Sequence, residues 1–222
     1  MKMLTPVKNP RGRPRNFARE VALENAMVAF WSKGYAGTTL DDLTAAMGVN
    51  RPSLYGAFGD KRSLFIESID HYVATRGQRA IAALASADTI EVGVAKFLNT
   101  IIDGITGTEC ARGCMMVSVA GDAAQTDAGV RARLDEVLHA TDMAIAATIR
   151  RFTGGKRVSA EAKAEHAAWL LSAGVHSLAL RARAGAEPAE LHRMARVIEQ
   201  AVFASLRAEP KQRRGKGSVG AA

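Results

Sequence analysis

The chain is poor in cysteine, proline and aromatic residues. Its 222 residues include two Cys and six Pro, and 5% of them are aromatic. Two cysteines argue against a disulfide framework and suit a reducing cytosol. No run of eighteen apolar residues occurs, so we expect no membrane span. The N-terminal segment MKMLTPVKNPRGRPRN lacks an apolar stretch, so we do not expect a secretory signal.

Alanine and other apolar residues dominate what is present. Apolar residues make up 48% of the chain, which is typical of a globular protein with a substantial core. Strand-like alternation is missing, and apolar residues recur at helical spacing, so we predict an all-α fold. The predicted helices cover residues 17–33, 40–47, 51–58, 61 to beyond 79, 90–105, 130–152, 160–183 and 189–207.

The net charge of +8 is concentrated at the two ends of the chain. Residues 1–62 hold 10 Lys/Arg against 5 Asp/Glu, and residues 209–222 hold 4 against 1. Residues 63–208 hold 16 of each and are neutral. A basic end module on a neutral body suggests a polyanion partner for that module, and the alternative is a simple contribution to solubility.

Two short helices joined by a three-residue turn are predicted within residues 39–58. Thr39 stands at an N-cap position with Asp42 at capping-box spacing. Asn50 is a good N-cap for the next helix, and Pro52 is tolerated in its first turn. Such a pair matches the helix-turn-helix of DNA-binding proteins.

The apolar residues of this unit are spaced to pack on the first helix and leave the opposite side polar. Arginine and serine can donate to base edges or phosphates, a tyrosine hydroxyl can donate to phosphate, and proline and glycine allow close approach. The predicted packed residues are Leu43, Val49, Leu54 and Phe58, and the predicted outward residues are Arg51, Pro52, Ser53, Tyr55 and Gly56.

The segment ALENAMVAFWSKGYAGTTLDDLTAAMGVNRPSLYGAFGDKRSLF resembles the DNA-binding domain of TetR-family transcriptional repressors. The resemblance covers about residues 17–65. Gly56 and Ala57 stand where bulkier residues are common in the family, and Thr44 stands where Ala is usual, so the operator sequence is not predicted. The matching features are Phe30, Gly34, Tyr35, Thr38, Thr39, Gly48, Val49, Leu54, Tyr55, Phe58, Lys61 and Leu64.

The resemblance implies a set of residues that contact double-stranded operator DNA. Alternatives stay open for two of them, since Tyr55 could pack in the domain core and Lys61 could be an ordinary solvated lysine. Asp60 before Lys61 fits an N-cap role, which would place a helix N-terminus and the lysine toward one phosphate. Carried over by position, the contact residues are Thr39, Arg51, Pro52, Ser53, Tyr55 and Lys61.

The resemblance also implies the domain organisation. A basic arm at residues 1–16 precedes the helix-turn-helix domain at 17–62, and a basic tail follows at 209–222. Between them, residues 63–208 are expected to form a helical domain that binds a small-molecule effector and dimerises. A homodimer through the last two helices is implied by the family, while the residues alone equally allow those helices to form only the monomer core.

The effector site is expected within the helical body. Pockets for small molecules are lined mostly by apolar side chains with a few polar groups, so we look for apolar residues as the walls of this site. The stretch CARGCMMVS at residues 110–118 resembles a Gly-Cys segment that opens a helix in one branch of the family. Cys114 could be a packing residue, a reactive thiol sensing electrophiles, or part of a soft cluster with Cys110, Met115 and Met116 that suits a monovalent copper ion. The candidate ligand-binding residues are Phe97, Ile101, Cys114, Met115, Met116 and Trp169.

The N-terminal arm reads PRGRPR at residues 10–15. Proline and glycine favour an extended chain, and Arg11, Arg13 and Arg15 project from it. The Arg-Gly-Arg-Pro sequence within it resembles the minor-groove clamp of AT-hook proteins. A narrow A·T-rich minor groove concentrates negative potential and attracts inserted arginine. A basic tether with diffuse attraction to DNA is the alternative.

A repressor, an enzyme and an architectural DNA protein are the three function classes open to a helical chain of this size. The basic helix-turn-helix favours a repressor that works in the cytoplasm at the nucleoid, and it is a feature that an enzyme does not need. No HExxH motif, nucleotide-binding glycine loop or nucleophile elbow occurs, so no catalysis, cofactor or metal is expected. The histidines His139, His166 and His176 are scattered. An architectural DNA protein would not require the large neutral body.

Overall fold

The computed structural model describes residues 15–107, 112–153 and 158–207. These residues contain ten α-helices and no strand, which confirms the all-α prediction. The ends of the predicted helices lie within about two residues of the observed ends. The helices are α1 (Arg15–Lys33), α2 (Leu40–Met47), α3 (Arg51–Phe58), α4 (Lys61–Tyr72), α5 (Gln78–Ala85), α6 (Ile90–Thr106), α7 (Gly121–Ala123), α8 (Ala128–Thr153), α9 (Val158–Arg183) and α10 (Pro188–Arg207).

The ends of α2 and α3 are fixed by the residues that the sequence indicated. Thr39 and Asp42 form a complete capping box at the start of α2. Gly48 ends α2 with a φ of 66°, in the left-handed region that glycine favours. The Asn50 side chain accepts a hydrogen bond from the Ser53 amide at the start of α3. These local interactions make the turn between the two helices short and defined.

The predicted long helix from residue 61 to beyond 79 contains a π-helical turn that the sequence did not indicate. The turn, Val73–Gly77, joins α4 to α5. The Thr75 hydroxyl donates to the carbonyl of His71 at 2.7 Å and competes with the backbone for that acceptor. A second π-helical turn, Met116–Ala120, precedes α7.

The chain divides into two compact units that interleave in sequence. The first unit comprises residues up to 78 together with 104–137, and the second comprises residues 79–103 together with those from 138 onward. The domain boundaries predicted from the sequence, at residues 62 and 208, stay predictions. Residues 1–14 of the predicted arm and the tail at 209–222 lie outside the described residues, while residues 15 and 16 of the arm begin α1.

An apolar core joins α1, α2 and α4 in the first unit. Phe30 and Phe65 are fully buried and meet edge to face with ring centroids 5.0 Å apart. Tyr35 lies 4.7 Å from Phe65 between ring centroids and extends the cluster. Aromatic pairs of this geometry contribute about 0.5–1.5 kcal/mol beyond the apolar area they bury. The apolar residues at helical spacing on α1 are all buried: Ala22, Leu23, Ala26, Met27 and Phe30.

The second unit is built on the packing of α9 against α10. Four large apolar residues of these two helices are fully buried within the chain, so they belong to the core of the subunit. Leu170 is 39% exposed instead. Gly174 allows the two helices to approach closely, because a Cβ there would lie 2.8 Å from the side chain of Ile198. The buried four are Leu171, Leu178, Leu191 and Val202.

Among the described helices, none combines the length and the apolar character that crossing a membrane requires.

Gly174→Ala should destabilise the protein. Its methyl group would overlap the branched side chain of Ile198, and overpacking costs about 1–3 kcal/mol, which exceeds the gain of roughly 1 kcal/mol in helix propensity. Gly104→Ala in α6 is the matched control, since a Cβ there meets nothing within 4 Å. It should raise the free energy of unfolding by roughly 0.5–1 kcal/mol. Urea unfolding at equal protein concentration measures both, and stabilisation by both variants would contradict the close approach of α9 and α10.

Candidate nucleic-acid interface

The helix α3 has one buried side and one exposed side. Leu54 is fully buried and Phe58 is 5% exposed, so these two residues anchor the helix in the first unit. Tyr55 is 48% exposed, an unusual state for a large aromatic side chain. The structure confirms the predicted outward position of the remaining side chains, since all of them are exposed: Arg51, Pro52, Ser53, Tyr55 and Gly56.

An ion pair between α2 and α3 lies at the N-terminal end of the exposed side. The Arg51 guanidinium donates to Asp41 Oδ1 from Nη2 at 2.8 Å and from Nε at 3.3 Å. The hydrogen bond from Arg51 and its favourable charge interaction with Asp41 raise the pKa of Arg51 above its ordinary value. Arg51 is therefore a permanent cation with a fixed partner at the first position of α3.

Arg19 on α1 fixes the C-terminal end of α3. Its guanidinium carbon lies 4.5 Å from the centroid of the Phe58 ring, a cation–π geometry. The same group forms an ion pair with Glu67 of α4 at 2.6 Å. One arginine thus links α1, α3 and α4 at the point where α3 ends.

The Thr39 side chain is occupied by helix capping. Its hydroxyl accepts a hydrogen bond from the Asp42 amide at 3.1 Å and lies 2.7 Å from Asp42 Oδ2. Lys33 of α1 pairs with the other oxygen of Asp42 at 2.5 Å. The hydrogen bond from Lys33, followed by those from Thr39, keeps the pKa of Asp42 well below its ordinary value. Thr39 is exposed, so it lies at the surface as the start of α2.

Lys61 lies at the first position of α4 and is half-buried. Asp60 is the N-cap, and its side chain accepts a hydrogen bond from the Ser63 amide at 2.7 Å, as predicted. The Lys61 ammonium lies 4.6 Å from the centroid of the Tyr35 ring, and burial lowers the pKa of this lysine. Its position at a helix N-terminus combines a side-chain cation with the positive end of the helix dipole.

Glu24 of α1 binds the Arg76 guanidinium and the His71 ring near the C-terminal end of α4. Arg76 donates to both of its carboxylate oxygens, at 2.5 and 3.1 Å, and His71 Nε2 lies 2.8 Å from Oε2. Burial raises the pKa of Glu24, but the hydrogen bonds from Arg76 and His71 outweigh it and leave the pKa below its ordinary value. The cluster fixes the π-helical turn after α4 against α1.

Two further ion pairs join α4 to the beginning of α8. Arg62 donates to Asp127 at 2.8 Å, and Arg133 donates to Asp70 at 2.6 Å. Asp127 also caps α8 by accepting from the Gly129 and Val130 amides. A Cβ at Gly129 would lie 1.7 Å from Arg62 Nη2, so a larger residue there would displace that guanidinium from its present position.

Cys114 is a packed residue in this structure. Its side chain is buried, with 8% of the residue exposed, and its sulfur accepts a hydrogen bond from the Tyr72 hydroxyl at 3.3 Å. Burial raises the pKa of Tyr72 well above its ordinary value, so the phenol stays protonated and can donate. The predicted helix start is confirmed, because the Cys114 carbonyl accepts from the Ser118 amide at 2.9 Å. These contacts do not favour the alternative of a thiol exposed for redox sensing.

The soft metal-binding cluster of cysteines and methionines stays a prediction. Cys110 lies outside the described residues, and the residues within them contain no group of three His, Cys, Asp or Glu side chains arranged to bind a metal ion.

The candidate ligand-binding residues divide between the two units. Cys114, Met115 and Met116 are buried in the first unit. Phe97 is buried in the second unit, while Trp169 on α9 is 55% exposed. A cavity of about 170 Å³ in the second unit is smaller than usual ligand pockets and is not lined by the predicted residues. Ile101, the remaining candidate, is half-buried. The cavity is lined by Thr153, Ala160, Lys163 and Leu206.

Family comparisons agree with the helix-turn-helix geometry. Residues 22–67 match the family model described as bacterial regulatory proteins, tetR family, and residues 93–198 match the tetracyclin repressor-like C-terminal domain. The chain belongs to the TetR family. The two matched regions together cover more than half of the sequence, so this TetR-family assignment includes both the N-terminal helices and the helical body.

Individual relatives support the assignment. The chain is 35% identical over 113 residues to the HTH-type transcriptional repressor ComR of Escherichia coli K12, a match covering 50% of this chain and 54% of ComR. Over 64 residues it is 45% identical to the repressor BdcR of the same organism, covering 29% of this chain and 32% of BdcR. The matches therefore span about half or less of these two curated relatives.

A solved structure extends the likeness over the whole fold. It is a cysteine mutant of the TetR family transcriptional regulator CifR, complexed with 26-base-pair double-strand operator DNA. This chain is 32% identical to it with a TM-score of 0.70, and the match covers 89% of this chain and 100% of CifR.

Several interactions of this TetR-family chain were not found from its sequence. Asp127 follows the N-cap pattern and was detectable, since an acidic residue precedes the apolar run of α8. The sequence does not indicate that Asp41 pairs with Arg51 or Glu24 with Arg76, because each pair joins residues from different segments of the chain. Arg19 was likewise not recognised as the link between three helices.

Glu24→Gln should destabilise the protein by about 1–2 kcal/mol at pH 7, because charge-assisted hydrogen bonds to Arg76 and His71 become weaker. The pKa of Glu24 is lowered in the folded state, so its contribution is fully present above the unfolded value of about 4.3 and is lost as pH falls through the folded value. The difference between wild type and variant should therefore shrink between pH 5 and pH 3.

Urea unfolding at several pH values measures this difference. Glu20→Gln is the matched control, since Glu20 is an exposed glutamate on the same helix. An equal effect of the two substitutions at pH 7 would contradict a stabilising role for the Glu24 cluster.

Proposed function

We propose that the chain is a transcriptional repressor that binds double-stranded operator DNA as a homodimer and is released by a small-molecule effector. The observation that carries the proposal is the exposed side of α3. Its polar and aromatic side chains face solvent while Leu54 and Phe58 anchor the helix, so the surface is presented in a fixed orientation. A helix of this kind fits the major groove with its N-terminal residues toward the bases.

The contact residues take distinct roles in this proposal. Arg51 and Ser53 contact base edges, and Tyr55 donates its hydroxyl to a phosphate. Pro52 allows close approach of α3. Thr39 and Lys61 lie at the N-termini of α2 and α4, where backbone amides add to phosphate binding. CifR, bound to operator DNA in its solved structure, has the same overall fold.

The basic arm adds a second contact in this proposal. Arg13 and Arg15 would enter the minor groove beside the site that α3 reads, where the narrow groove concentrates negative potential. Arg13 lies outside the described residues, and the side chain of Arg15 is not described.

The outer side of α9 and α10 supports the homodimer. Large apolar side chains of both helices are exposed, and a subunit interface would remove them from water. Ala173 lies one turn beyond Trp169 on the same side of α9 and is exposed, so its small side chain allows close helix packing. Trp169 therefore fits a subunit interface better than a closed cavity within one chain. The exposed large residues on these helices are Trp169, Leu170, Leu180 and Val197.

We propose that binding of a small-molecule effector makes the protein release its operator DNA. Phe97, Ile101, Met115 and Met116 are retained as candidate wall residues, and Cys114 is proposed as a packing residue that Tyr72 orients. We further propose that the protein acts at the nucleoid in the cytoplasm and is not an enzyme, because its relatives are named as transcriptional regulators and repressors.

Selection of DNA from a random pool by the purified protein tests the proposed function. We expect a pseudo-palindromic site whose half-site centres lie about one helical turn or more apart. Lys61→Ala should then make the salt dependence of operator binding shallower by about two units of log–log slope, since each subunit of the dimer loses one phosphate contact. Lys96→Ala is the matched control because Lys96 is an exposed lysine on α6.

The control should leave the slope unchanged. Recovery of no preferred site would contradict the proposed repressor function. If Lys61→Ala and Lys96→Ala show the same salt dependence of operator binding, Lys61 does not contact the DNA.

Ala173→Glu should produce monomers at concentrations where the wild type is a dimer. Burying a carboxylate at an apolar interface without a partner costs several kcal/mol. Ala132→Glu is the control, since Ala132 is also an exposed alanine within a long helix but lies in the first unit. Sedimentation velocity measures the oligomeric state, and a dimeric Ala173→Glu variant would show that the dimer forms through another surface.

A further inference from the structure

The ion pair between Asp41 and Arg51 uses only one edge of the guanidinium. Both hydrogen bonds end on the same carboxylate oxygen, with Nη2 at 2.8 Å and Nε at 3.3 Å from Asp41 Oδ1. A guanidinium has five N–H donors in a planar fork. The bonds to Asp41 occupy the edge formed by Nε and one hydrogen of Nη2. The two hydrogens of Nη1 and the outer hydrogen of Nη2 point away from that edge.

This pair contributes little to stability. Its side chains are 55% and 78% exposed, and ion pairs this exposed contribute little because water and salt screen the two charges. Asp42, the neighbouring residue, already supplies the capping interactions of α2. The contact is therefore better explained by what it does to the orientation of Arg51, which is the first residue of α3.

We propose that Arg51 reads a guanine in the major groove and that Asp41 is a positioning residue that directs the free end of its guanidinium toward that base. This inference rests on the proposed DNA binding through α3. Guanine presents two acceptors, N7 and O6, at the spacing of the two outermost guanidinium donors, and no other base presents that pair. The end of Arg51 that Asp41 leaves free carries those two donors.

The charge of Asp41 argues against a phosphate as the partner of Arg51. A carboxylate hydrogen-bonded to the arginine offsets its charge, and it would repel an approaching phosphate. Base edges carry no net charge, so the Asp41 carboxylate repels them less than it repels a phosphate. It also fixes a long side chain that otherwise loses rotamer freedom on binding. The pairing therefore favours discrimination between bases over general attraction to the DNA backbone.

The test uses the full-length protein and the site recovered by selection. Each guanine of a half-site is replaced in turn by 7-deazaguanine, which lacks the N7 acceptor, and by adenine. At one guanine the replacement by adenine should weaken wild-type binding by roughly five- to 150-fold. Arg51→Ala should abolish the discrimination at that position and at no other.

Two substitutions separate the roles of charge and geometry. Arg51→Lys preserves the charge but not the planar fork, so it should lose the discrimination as Arg51→Ala does. Asp41→Asn should reduce discrimination at the same guanine by about two- to fivefold and increase binding to unrelated DNA. Asp88→Asn, which removes the same charge from an exposed site in the second unit, should do neither.

The possible outcomes are distinguishable. If Arg51→Ala weakens binding equally at every base pair and Arg51→Lys restores it, Arg51 is a phosphate contact and the inference is wrong. If Asp41→Asn has the same effect in the wild type and in Arg51→Ala, Asp41 acts by repulsion alone and does not position Arg51. If the wild type selects no site, the proposed function and this inference both fail.

Discussion

The packing of α1 against α4 decides which side of α3 faces solvent. Phe30 of α1 and Phe65 of α4 are fully buried and meet edge to face, and their contact defines the core on which Leu54 and Phe58 are anchored. Since α3 has only eight residues, it has too few hydrogen-bonded turns to be stable alone. Its helical state and its orientation therefore depend on this core, and so does every side chain on its exposed surface.

Charged contacts along α4 join this helix to α1 and to residues at the beginning of α8. On one side of α4, Glu67 and the pair His71 and Arg76 bind to α1. On the other side, Arg62 and Asp70 bind to residues at the beginning of α8. Individually these exposed or half-exposed pairs are weak, but together they specify the register of α4 with both neighbours. A shift of α4 would have to break contacts with both partners.

Local interactions were predictable from the sequence, and contacts between distant segments were not. The caps at Thr39, Asn50 and Asp60 depend on residues three positions apart, so a short stretch of sequence contains the whole interaction. The ion pair of Glu24 with Arg76 joins residues 52 positions apart, and no periodicity indicates it. The π-helical turn Val73–Gly77 likewise has no simple sequence signature. The exposed residues of α3 were predictable because burial follows helical spacing.

Asp41 and Asp42 show how adjacent carboxylates acquire different roles. Successive residues of a helix point about 100° apart, so two neighbours in the first turn of α2 face different surroundings. Asp42 faces Thr39 and Lys33, and both of its oxygens accept hydrogen bonds there. Asp41 faces α3, where Arg51 is its partner. Because Asp42 satisfies the helix start and neutralises Lys33, the carboxylate of Asp41 is available to orient the arginine that faces outward.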